Sequence, residues 1–284
     1  MNFDDHRPQL FGIAYRMLGT AMDAEDVVQD TWVRYQALET PPENPSAYLR
    51  KIVTNLSLDR LKSARAQREQ YIGEWLPEPI RTSNDSPADS LQRAESISMA
   101  LLVVLESLSP LERAVFILRD VFDYEYAEIA LTLDRSESAC RKLLSRAREH
   151  IQAARPRFDV PQEVHDRLVS QFIEAAQQGN MQGVVSLLAD DAVLYSDGGG
   201  VVSAATRPLH GRDTIFAFLS GLYAKMQRDG NNFTLEAIQL NGQMGLLMRD
   251  SAGQIMMAVT FESDSTQIIA IRLVRNPVKL RRLI

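Results

Sequence analysis

The chain has little cysteine, little histidine and no long apolar run, and each shortage excludes a class of protein. Cys140 is the single cysteine among 284 residues, so neither an intrachain disulfide nor a multi-cysteine zinc site can form. Four scattered histidines disfavour a metal centre, and we expect neither a metal nor a cofactor. No stretch approaches about 18 uninterrupted apolar residues, and no basic flank precedes an apolar core at the N-terminus. The sequence therefore predicts a cytoplasmic protein without a membrane span.

Positive charge is also scarce in the chain as a whole. The formal net charge of -6 argues against a nucleic-acid-binding protein, because clustered Lys and Arg supply most of the affinity for phosphate. Residues 136–157 reverse this balance, with six basic side chains against two acidic ones. The basic residues of this segment are Arg141, Lys142, Arg146, Arg148, Arg155 and Arg157.

The first 70 residues have helical periodicity. Apolar residues predict a helix over 24–37 with Asp23 as its N-cap, and a second helix over 46–65 that begins at a Ser46 cap. Residues 71–92 then carry three prolines among Ser, Asn and Asp, which is the composition of a linker. The length of the chain suggests about two domains, with three small ones possible.

Helical periodicity returns over 93–157. Ser109, followed by Pro110 and by Glu112, predicts a helix start with a capping box. Later in this segment, residues 124–155 predict a pair of helices separated by a short turn.

This helix pair has the pattern of a helix-turn-helix. The motif needs a small residue where the helices cross, a turn residue that accepts positive φ and an apolar residue on the inner face of the second helix; Ala130, Asp134 and Cys140 occupy these places. A helical hairpin with a solvated basic face stays open as an alternative. The second helix would present to a DNA groove Ser138, Arg141, Lys142, Ser145, Arg146 and Arg148.

Residues 158–284 differ in character from the helical part. Amphipathic helices are predicted over 161–180, 181–191 and 212–226. Apolar runs between turn residues predict five strands, at 192–197, 233–240, 243–250, 254–263 and 266–274. This order of elements predicts an α+β domain whose curved sheet wraps a helix.

The two helical segments resemble the RNA polymerase sigma factors of the sigma-70 family. "LGTAMDAEDVVQDTWVRYQAL" with "NPSAYLRKIVTNLSLDRLKS" is similar to region 2, and "LSPLERAVFILRDVFDYEYAEIALTLDRSESACRKLLSRAREHI" is similar to region 4. Two regions joined by a short linker, without a region 3, are the layout of extracytoplasmic-function (ECF) sigma factors. The resemblance implies a non-enzymatic initiation factor whose partners are core RNA polymerase and promoter DNA.

The resemblance also implies residue roles. The helix over 24–37 would dock on the clamp helices of the largest polymerase subunit through Asp26, Gln29, Asp30 and Trp32. The second helix would melt and read the minus-ten element, with basic residues on phosphates and polar or aromatic ones on unstacked bases. Its residues are Tyr48, Arg50, Lys51, Asn55, Asp59, Arg60, Lys62 and Arg65. The helix over 136–149 would read the minus-thirty-five element.

The third segment resembles SnoaL-like domains, a cone-shaped α+β class that often contains a pocket. For an enzyme, the candidate acid, base and anion-binding groups are Tyr195, Asp197, His210 and Arg272. The alternatives are a pocket that senses a small-molecule ligand and a purely regulatory domain. We expect a regulatory domain, with a small-molecule ligand as a possible partner, and we do not expect an enzyme.

Three motifs resemble those of the ECF subgroup with a fused SnoaL-like extension. They are "WLPEP" (Trp75, Leu76, Pro77, Glu78, Pro79), "DGGG" (Asp197, Gly198, Gly199, Gly200) and "NPVKL" (Asn276, Pro277, Lys279, Leu280 around a valine). The resemblance implies that the extension replaces a separate anti-sigma factor and gates the protein in cis. Val201 and Val278 stand where a lysine and an acidic residue are usual, so we expect coupling through backbone and packing and no charge-based latch. We also expect Trp75 and its prolines to approach the glycines, with Asp197 capping or pairing at that contact.

The sequence thus predicts a multidomain protein: two all-α sigma domains followed by an α+β SnoaL-like cone domain. The predicted parts are sigma region 2 (1–70), a linker (71–92), sigma region 4 (93–157) and the regulatory domain (158–284). Two other functions remain: a ligand-responsive DNA-binding transcription regulator, and an isomerase or cyclase tethered to a DNA-binding module.

Overall fold

The computed structural model describes residues 3–68, 71–82, 98–154, 160–228 and 232–283. The described residues fall into two compact units. Those up to 68 and from 101 to 154 form the first unit, and the remainder form the second. Within the described residues, none of the helices combines the length and the apolar composition that a membrane crossing requires.

The first unit is helical. Its helices are α1 (Arg7–Leu18), α2 (Ala21–Gln36), α3 (Pro45–Arg68), α4 (Met99–Leu105), most of which belongs to this unit, α5 (Pro110–Phe116), α6 (Tyr126–Leu133) and α7 (Glu137–Ala154). A π-helical turn, Ile117–Val121, continues α5. Helices α1, α2 and α3 pack on one another, α3 also packs on α6, and α7 packs on α5 and α6.

Two predicted helix starts are wrong by about one turn or less. Helix α2 begins earlier than expected, because Thr20 is its N-cap and accepts a hydrogen bond from the Asp23 backbone N–H. Helix α3 begins at a proline, and the Asn44 side chain rather than Ser46 accepts the bond from the Ala47 N–H at 3.0 Å. Both caps are good acceptors that precede the first apolar position, where periodicity carries no information.

The capping box and the turn of the helix-turn-helix are confirmed. Ser109 and Glu112 exchange side-chain and backbone hydrogen bonds at the start of α5. Asp134 ends α6 in the left-handed conformation, with φ 52° and ψ 52°, and its N–H bonds to the Ala130 carbonyl. Cys140 is fully buried on the inner face of α7, as a small apolar residue is in this motif.

The second unit contains one six-stranded sheet and its helices. The helices are α8 (Gln162–Gln177), α9 (Met181–Ser186), α10 (Arg212–Arg228) and α11 (Pro277–Leu280). The strands are β1 (Leu188–Asp197), β2 (Leu209–His210), β3 (Phe233–Leu240), β4 (Gln243–Asp250), β5 (Ile255–Ser263) and β6 (Ile268–Val274). The strand order is β2-β1-β6-β5-β4-β3, antiparallel except for the β1–β6 pair.

The predicted helix over 181–191 is only half correct. Helix α9 ends at Ser186, and the residues from Leu188 onward already belong to β1. The Ile268 N–H bonds to the Leu187 carbonyl at 2.8 Å, and Leu188 pairs with Ile268 of β6. A partner strand about 80 residues away in sequence therefore decides where this helix stops, which no local pattern could show.

The part of the linker that the structure describes, residues 71–82, packs within the second unit. Near its end it follows the turn between β3 and β4: Arg81 forms an antiparallel bridge with Leu240, and the Thr82 N–H bonds to the Gln239 carbonyl at 3.0 Å. The Asn241 side chain accepts from the Ile80 N–H at 3.1 Å. Segment 83–92 of the predicted linker lies outside the described residues.

Candidate nucleic-acid interface and linker site

The outer face of α7 carries the six side chains predicted to meet the minus-thirty-five element. All six are exposed, whereas Cys140, Leu144 and Ala147 on the other face are buried. A helix that packs one apolar face and exposes a basic one can enter a major groove without disturbing its own packing. The exposed set is Ser138, Arg141, Lys142, Ser145, Arg146 and Arg148.

These six side chains differ in how firmly the protein itself holds them. Arg148 donates from Nε and Nη2 to both carboxylate oxygens of Asp120, at 2.9 and 2.7 Å. Arg141 pairs with Glu137 at 2.8 Å and lies over the ring of Tyr126. Of the four cations among them, two make no ion pair within the described residues: Lys142 and Arg146. Arg155 and Arg157 lie outside the described residues.

Two cations of α3 are paired with carboxylates of the helix-turn-helix. Arg50 donates to Glu128 at 2.9 Å and stacks on Tyr124, with its Cζ 3.9 Å from the ring centroid. Lys51 donates to Asp134 at 2.8 Å. Arg50 is buried, whereas Lys51 is partly exposed. Any anion that contacts either cation must therefore compete with a carboxylate of α6 or of the turn that follows it.

Arg60 lies further along α3 and turns towards α2. It donates to the Asp23 carbonyl at 3.1 Å and to the Asp26 carboxylate at 3.3 Å. Lys62 pairs with Asp59 within one turn of α3 at 3.0 Å, and both are exposed. Exposed pairs of this kind contribute little to stability, so Lys62 can exchange its partner for a phosphate.

The predicted base-reading residues of α3 are half-buried. The Tyr48 ring lies 6.4 Å from the Tyr35 ring of α2, and Asn55 stands two turns further along. Both positions leave an edge open to solvent, which base stacking or reading needs. The side chain of Arg65 lies outside the described residues.

The residues predicted for polymerase docking divide into two kinds. Asp26, Gln29 and Asp30 are exposed on α2. Trp32 is half-buried, because its ring packs on Phe3 with centroids 4.6 Å apart. The three polar residues are accessible on α2, with Arg60 of α3 beside Asp26 and Asp30, whereas much of the indole contributes to internal packing.

In the second unit, Asp197 at the end of β1 is the centre of the linker site. Its carboxylate is fully buried, and four donors fill its acceptor positions. Oδ1 accepts from the Tyr71 hydroxyl at 2.6 Å and the Gly199 N–H at 3.0 Å. Oδ2 accepts from the Leu76 N–H at 3.0 Å and the Lys279 Nζ at 2.6 Å. A buried charge persists only when it is paired and bonded in this way.

Lys279 of α11 joins the linker to the C-terminal segment. Its ammonium group donates to the Leu76 carbonyl at 2.5 Å as well as to Asp197. It also lies over the ring of Trp75, 4.3 Å from the centroid, where the aromatic quadrupole attracts a cation. Burial and the bond to Asp197 raise the pKa of the Tyr71 hydroxyl above its ordinary value, so Tyr71 stays a donor.

Other side chains lie very close to the glycine loop, as predicted, but Trp75 is not among them. A Cβ on Gly200 would lie 3.1 Å from the Ile72 side chain, and one on Gly199 would lie 2.4 Å from the Asn276 side chain. Both glycines have positive φ, 70° and 65°, which also favours glycine. A Cβ on Gly198 would lie 2.3 Å from the Val202 carbonyl oxygen of the same loop. Ile72 therefore approaches the loop where we expected Trp75, which lies on Lys279 instead.

The remaining motif residues serve this site as packing or caps. Leu76, Pro77, Glu78 and Pro79 are buried, and so is Leu280. Asn276 caps α11 by accepting from the Val278 N–H at 3.0 Å, and its amide donates to the Tyr71 hydroxyl at 2.9 Å. Pro277 is exposed at the first position of α11.

The expectation that no charge links these motifs is wrong. Val201 and Val278 are both exposed, and valine carries no charge, so no ion pair joins those two positions. A buried ion pair nevertheless forms nearby, between Asp197 of the glycine motif and Lys279 of the C-terminal motif. The reason is that Lys279 follows Val278 on α11 and points inward.

The structure does not assemble the four candidate catalytic residues. Arg272 pairs with Glu262 at 2.6 Å and lies over the Tyr195 ring, whereas Asp197 is committed to the linker site. His210 is exposed on β2. General acid–base catalysis needs these groups in one cavity, and the structure does not provide that. In the described part of the chain, no group of three or more His, Cys, Asp or Glu is arranged to hold a metal ion.

Sequence reasoning missed two residues of the linker site, Tyr71 and Ile72. Tyr71 bonds to Asp197 and Asn276, and Ile72 covers the glycine loop. The available signal was their position directly before "WLPEP", since a Tyr-Ile pair is unusually apolar for a linker.

Comparison with known proteins now decides the family. Residues 3–67 match the Sigma-70 region 2 family, and residues 98–151 match Sigma-70, region 4. The chain is 39% identical to the ECF RNA polymerase sigma factor SigJ of Mycobacterium tuberculosis over 249 residues. This match covers 86% of this chain and 78% of SigJ. The chain belongs to the ECF sigma factors.

A second relative and a solved structure agree. The probable ECF RNA polymerase sigma factor SigI of M. tuberculosis is 35% identical over 188 residues, covering 64% of each chain. The crystal structure of M. tuberculosis SigJ matches with a TM-score of 0.76 and 32% identity, over 98% of this chain and 96% of that one. The agreement over almost the whole chain includes the C-terminal α+β domain.

As an ECF sigma factor, the protein belongs to a family of non-enzymatic transcription initiation factors that bind core RNA polymerase and promoter DNA. The fold prediction, two all-α sigma domains followed by a SnoaL-like α+β domain, is confirmed. A DNA-binding regulator that does not engage polymerase leaves the region 2 match unexplained.

Proposed function

We propose that the SnoaL-like domain of this sigma factor regulates initiation in cis by holding the linker between regions 2 and 4. The observation that carries the proposal is the set of bonds to Asp197 and Lys279. Between them they bind the linker at Tyr71 and at both backbone groups of Leu76. The sigma factor would need no separate anti-sigma factor to be restrained.

The hydrogen bonds of the linker site would form or break together, so the linker would be either seated or released. The charges of the site are buried and fully bonded when the linker is seated, and release of the linker removes three of those bonds together. Contacts that are made or lost as a set are the kind that a partner can switch. Binding of polymerase to residues 26–32 would supply the free energy for release.

We further propose that promoter recognition uses the exposed face of α7 and the basic face of α3. Lys142 and Arg146 would make the first phosphate or base contacts, because within the described residues neither has an ion pair to break. Arg50 and Lys51 would engage the minus-ten element only after Glu128 and Asp134 are displaced. Promoter binding would thus require α3 and α6 to separate.

Transcription in vitro with core polymerase tests the regulation. We expect removal of the tail from Asn276 to raise promoter-dependent output severalfold, because Lys279 and the Asn276 cap leave the linker site together. Removal of the whole domain from Pro161 is expected to lower output, because the resemblance to the ECF subgroup with a fused SnoaL-like extension implies that the extension is also needed for full activity. The full chain carrying Arg281→Ala is the control, because Arg281 is an exposed cation two residues beyond Lys279. Unchanged output in both truncations would show that the domain does not regulate initiation.

A further inference from the structure

The turn between β3 and β4 contains the one Asn-Gly dipeptide of the chain, Asn241-Gly242. Leu240 pairs with Gln243, so these two residues alone form the hairpin loop. Both have positive φ, 51° and 75°, which is the pattern of a type I′ turn. Asn-Gly suits such a turn, but it is also the dipeptide in which asparagine most readily loses its side-chain amide. The reason is that glycine has no Cβ to hinder attack by its own backbone nitrogen.

This loss of the amide, deamidation, needs only water as a reactant. The Gly242 nitrogen gives up its proton and bonds to the Asn241 Cγ, and the side-chain nitrogen leaves that carbon as ammonia, so a five-membered imide closes. Water then adds across one of the two C–N bonds of the imide. The product is an aspartate or an isoaspartate, and in the isoaspartate the main chain runs through the former side chain and is one carbon longer.

The linker holds both reacting groups of this dipeptide. The Gly242 N–H donates to the Thr82 hydroxyl at 2.9 Å, which directs it away from the asparagine side chain. The Ile80 N–H donates to the Asn241 side-chain oxygen at 3.1 Å, and the Ile80 carbonyl accepts from the Asn241 N–H at 2.9 Å. Asn241 is only 1% exposed. The seated linker therefore fixes the nucleophile and the amide apart and limits the access of water to them.

We propose that Asn241 is a site of spontaneous deamidation, which the seated linker prevents and which release of the linker permits. A group that reacts only in a locally open state reacts in proportion to the population of that state. The product would also oppose return of the linker. An aspartate places a charge where the folded chain buries a neutral amide, and an isoaspartate lengthens the turn to which Ile80 and Thr82 bind.

Deamidation would thus make a reversible release of the linker permanent. The chemistry rests on the seating of residues 80–82 and not on the proposed control of transcription. Unchanged transcription by the truncated chains would contradict the regulation in cis and would leave the rates of deamidation unaffected, so the two proposals fail separately.

Peptide-mapping mass spectrometry of the full chain, during incubation at mildly alkaline pH, tests the proposal. The measured quantity is the rate at which fragment ions that contain Asn241 gain the mass difference between an amide and an acid. Asn231 and Asn232 lie in the same tryptic peptide, and fragment ions separate them from Asn241. We expect the rate at Asn241 to be at least about tenfold lower in the folded chain than in the urea-unfolded chain. Equal rates would overturn the proposal.

Substitutions of Thr82 show whether the linker provides the protection. Thr82→Val removes the hydroxyl that accepts from the Gly242 N–H and keeps the shape of the side chain, whereas Thr82→Ser keeps the hydroxyl. The rate at Asn241 should rise at least about threefold in Thr82→Val and stay near the unsubstituted rate in Thr82→Ser. No rise in a folded Thr82→Val chain would overturn the proposal. A mass gain that persists in Asn241→Gly, which keeps the positive φ, would assign the reaction to another residue and would also overturn it.

A second pair of variants decides the matter if Thr82→Val fails to fold. Ile80→Pro removes the N–H that bonds to Asn241, and Ile80→Val keeps it. A faster rate in Ile80→Pro alone supports the proposal, and equal rates in both variants contradict it. Amide exchange then tests the effect of the product: in Asn241→Asp, exchange at Thr82 should be at least about tenfold faster than in the unsubstituted chain. Unchanged exchange would show that deamidation does not keep the linker released.

Discussion

Each of the two units contains a lysine–aspartate ion pair of similar length, in opposite surroundings. Lys279 and Asp197 lie 2.6 Å apart with side chains 7% and 0% exposed, whereas Lys51 and Asp134 lie 2.8 Å apart with side chains 42% and 72% exposed. Water screens the second pair and solvates its separated ions, so it contributes little. The first pair is kept by a full set of bonds, and loss of one partner leaves a buried charge. The same pair of residue types thus makes a firmly held contact at the linker and an easily exchanged one between α3 and the end of α6.

The largest effect should come from Lys279→Met, which keeps the aliphatic stem but removes the charge. Asp197 then remains buried without its counter-ion, and we expect the free energy of unfolding of the second unit to fall by about 3–5 kcal/mol. Urea unfolding measures this loss, and faster amide exchange at Leu76 would report release of the linker.

Two further variants sharpen that result. Arg281→Met removes an exposed cation near the end of the same segment and should change stability by less than about 0.5 kcal/mol. Adding Asp197→Asn to Lys279→Met should restore part of the loss, since no unpaired charge remains. A double variant less stable than Lys279→Met would mean that the carboxylate acts through its other bonds and not through the pair.

The next effect concerns DNA. Arg146→Ala should weaken binding of the sigma factor with core polymerase to a promoter fragment by ~1–3 kcal/mol if Arg146 reads a base with both guanidinium nitrogens. Arg148→Ala is the matched comparison on the same exposed face, and we expect a smaller loss because Asp120 already holds that guanidinium. Filter binding or fluorescence anisotropy at fixed salt measures both. A larger loss for Arg148→Ala would show that the pair with Asp120 presents the arginine to DNA.

The stability of the second unit should depend on pH through one buried histidine. His165 of α8 is buried, with its ring nitrogens 3.0 Å from the Ser263 hydroxyl and 3.1 Å from the Met244 carbonyl, and burial lowers its pKa below the ordinary 6.5. Below pH 6.5 the unfolded chain therefore binds a proton that the folded chain does not. The second unit should lose stability as pH falls below about 6.5, with a slope of at most ~1.4 kcal/mol per pH unit.

Urea midpoints at several pH values between about 5 and 8 measure this slope. His165→Gln should flatten the dependence whatever it does to stability at neutral pH. His150→Gln is the control, because His150 lies on the exposed side of α7. The same slope in all three proteins would assign the pH dependence to other groups.

The sequence predicted those features that local chemistry decides. The exposed basic face of α7 followed from periodicity, the capping box from three residues at fixed spacing, and the turn from Asp134, which tolerates a positive φ. The family resemblance was specific because both sigma regions carry long motifs. The DNA-binding roles that the resemblance implies for individual residues remain predictions. The structure adds which of these residues form ion pairs within the protein.

Non-local contacts produced the errors. The length of β1 depends on pairing with β6, and the ion pair of the linker site joins residues 82 positions apart. Reasoning from the motif positions pointed to Val201 and Val278, whereas the pair uses the neighbouring Lys279. Only the packing of α11 decides which of two adjacent side chains points inward, and no pattern within five residues contains that information.

The smallest expected effect is at the exposed pair. In a double-mutant cycle with Lys51→Met and Asp134→Asn, the coupling free energy should be about 0.2–1 kcal/mol and should fall further in high salt, because both charges are solvated. Asparagine keeps the left-handed backbone of position 134, so the helix-turn-helix is not disturbed. Lys62→Met with Asp59→Asn, an exposed pair within one helix, gives the reference value. A coupling above about 2 kcal/mol would mean that α3 and α6 are held as firmly as the linker, and promoter phosphates could not then displace the pair by charge alone.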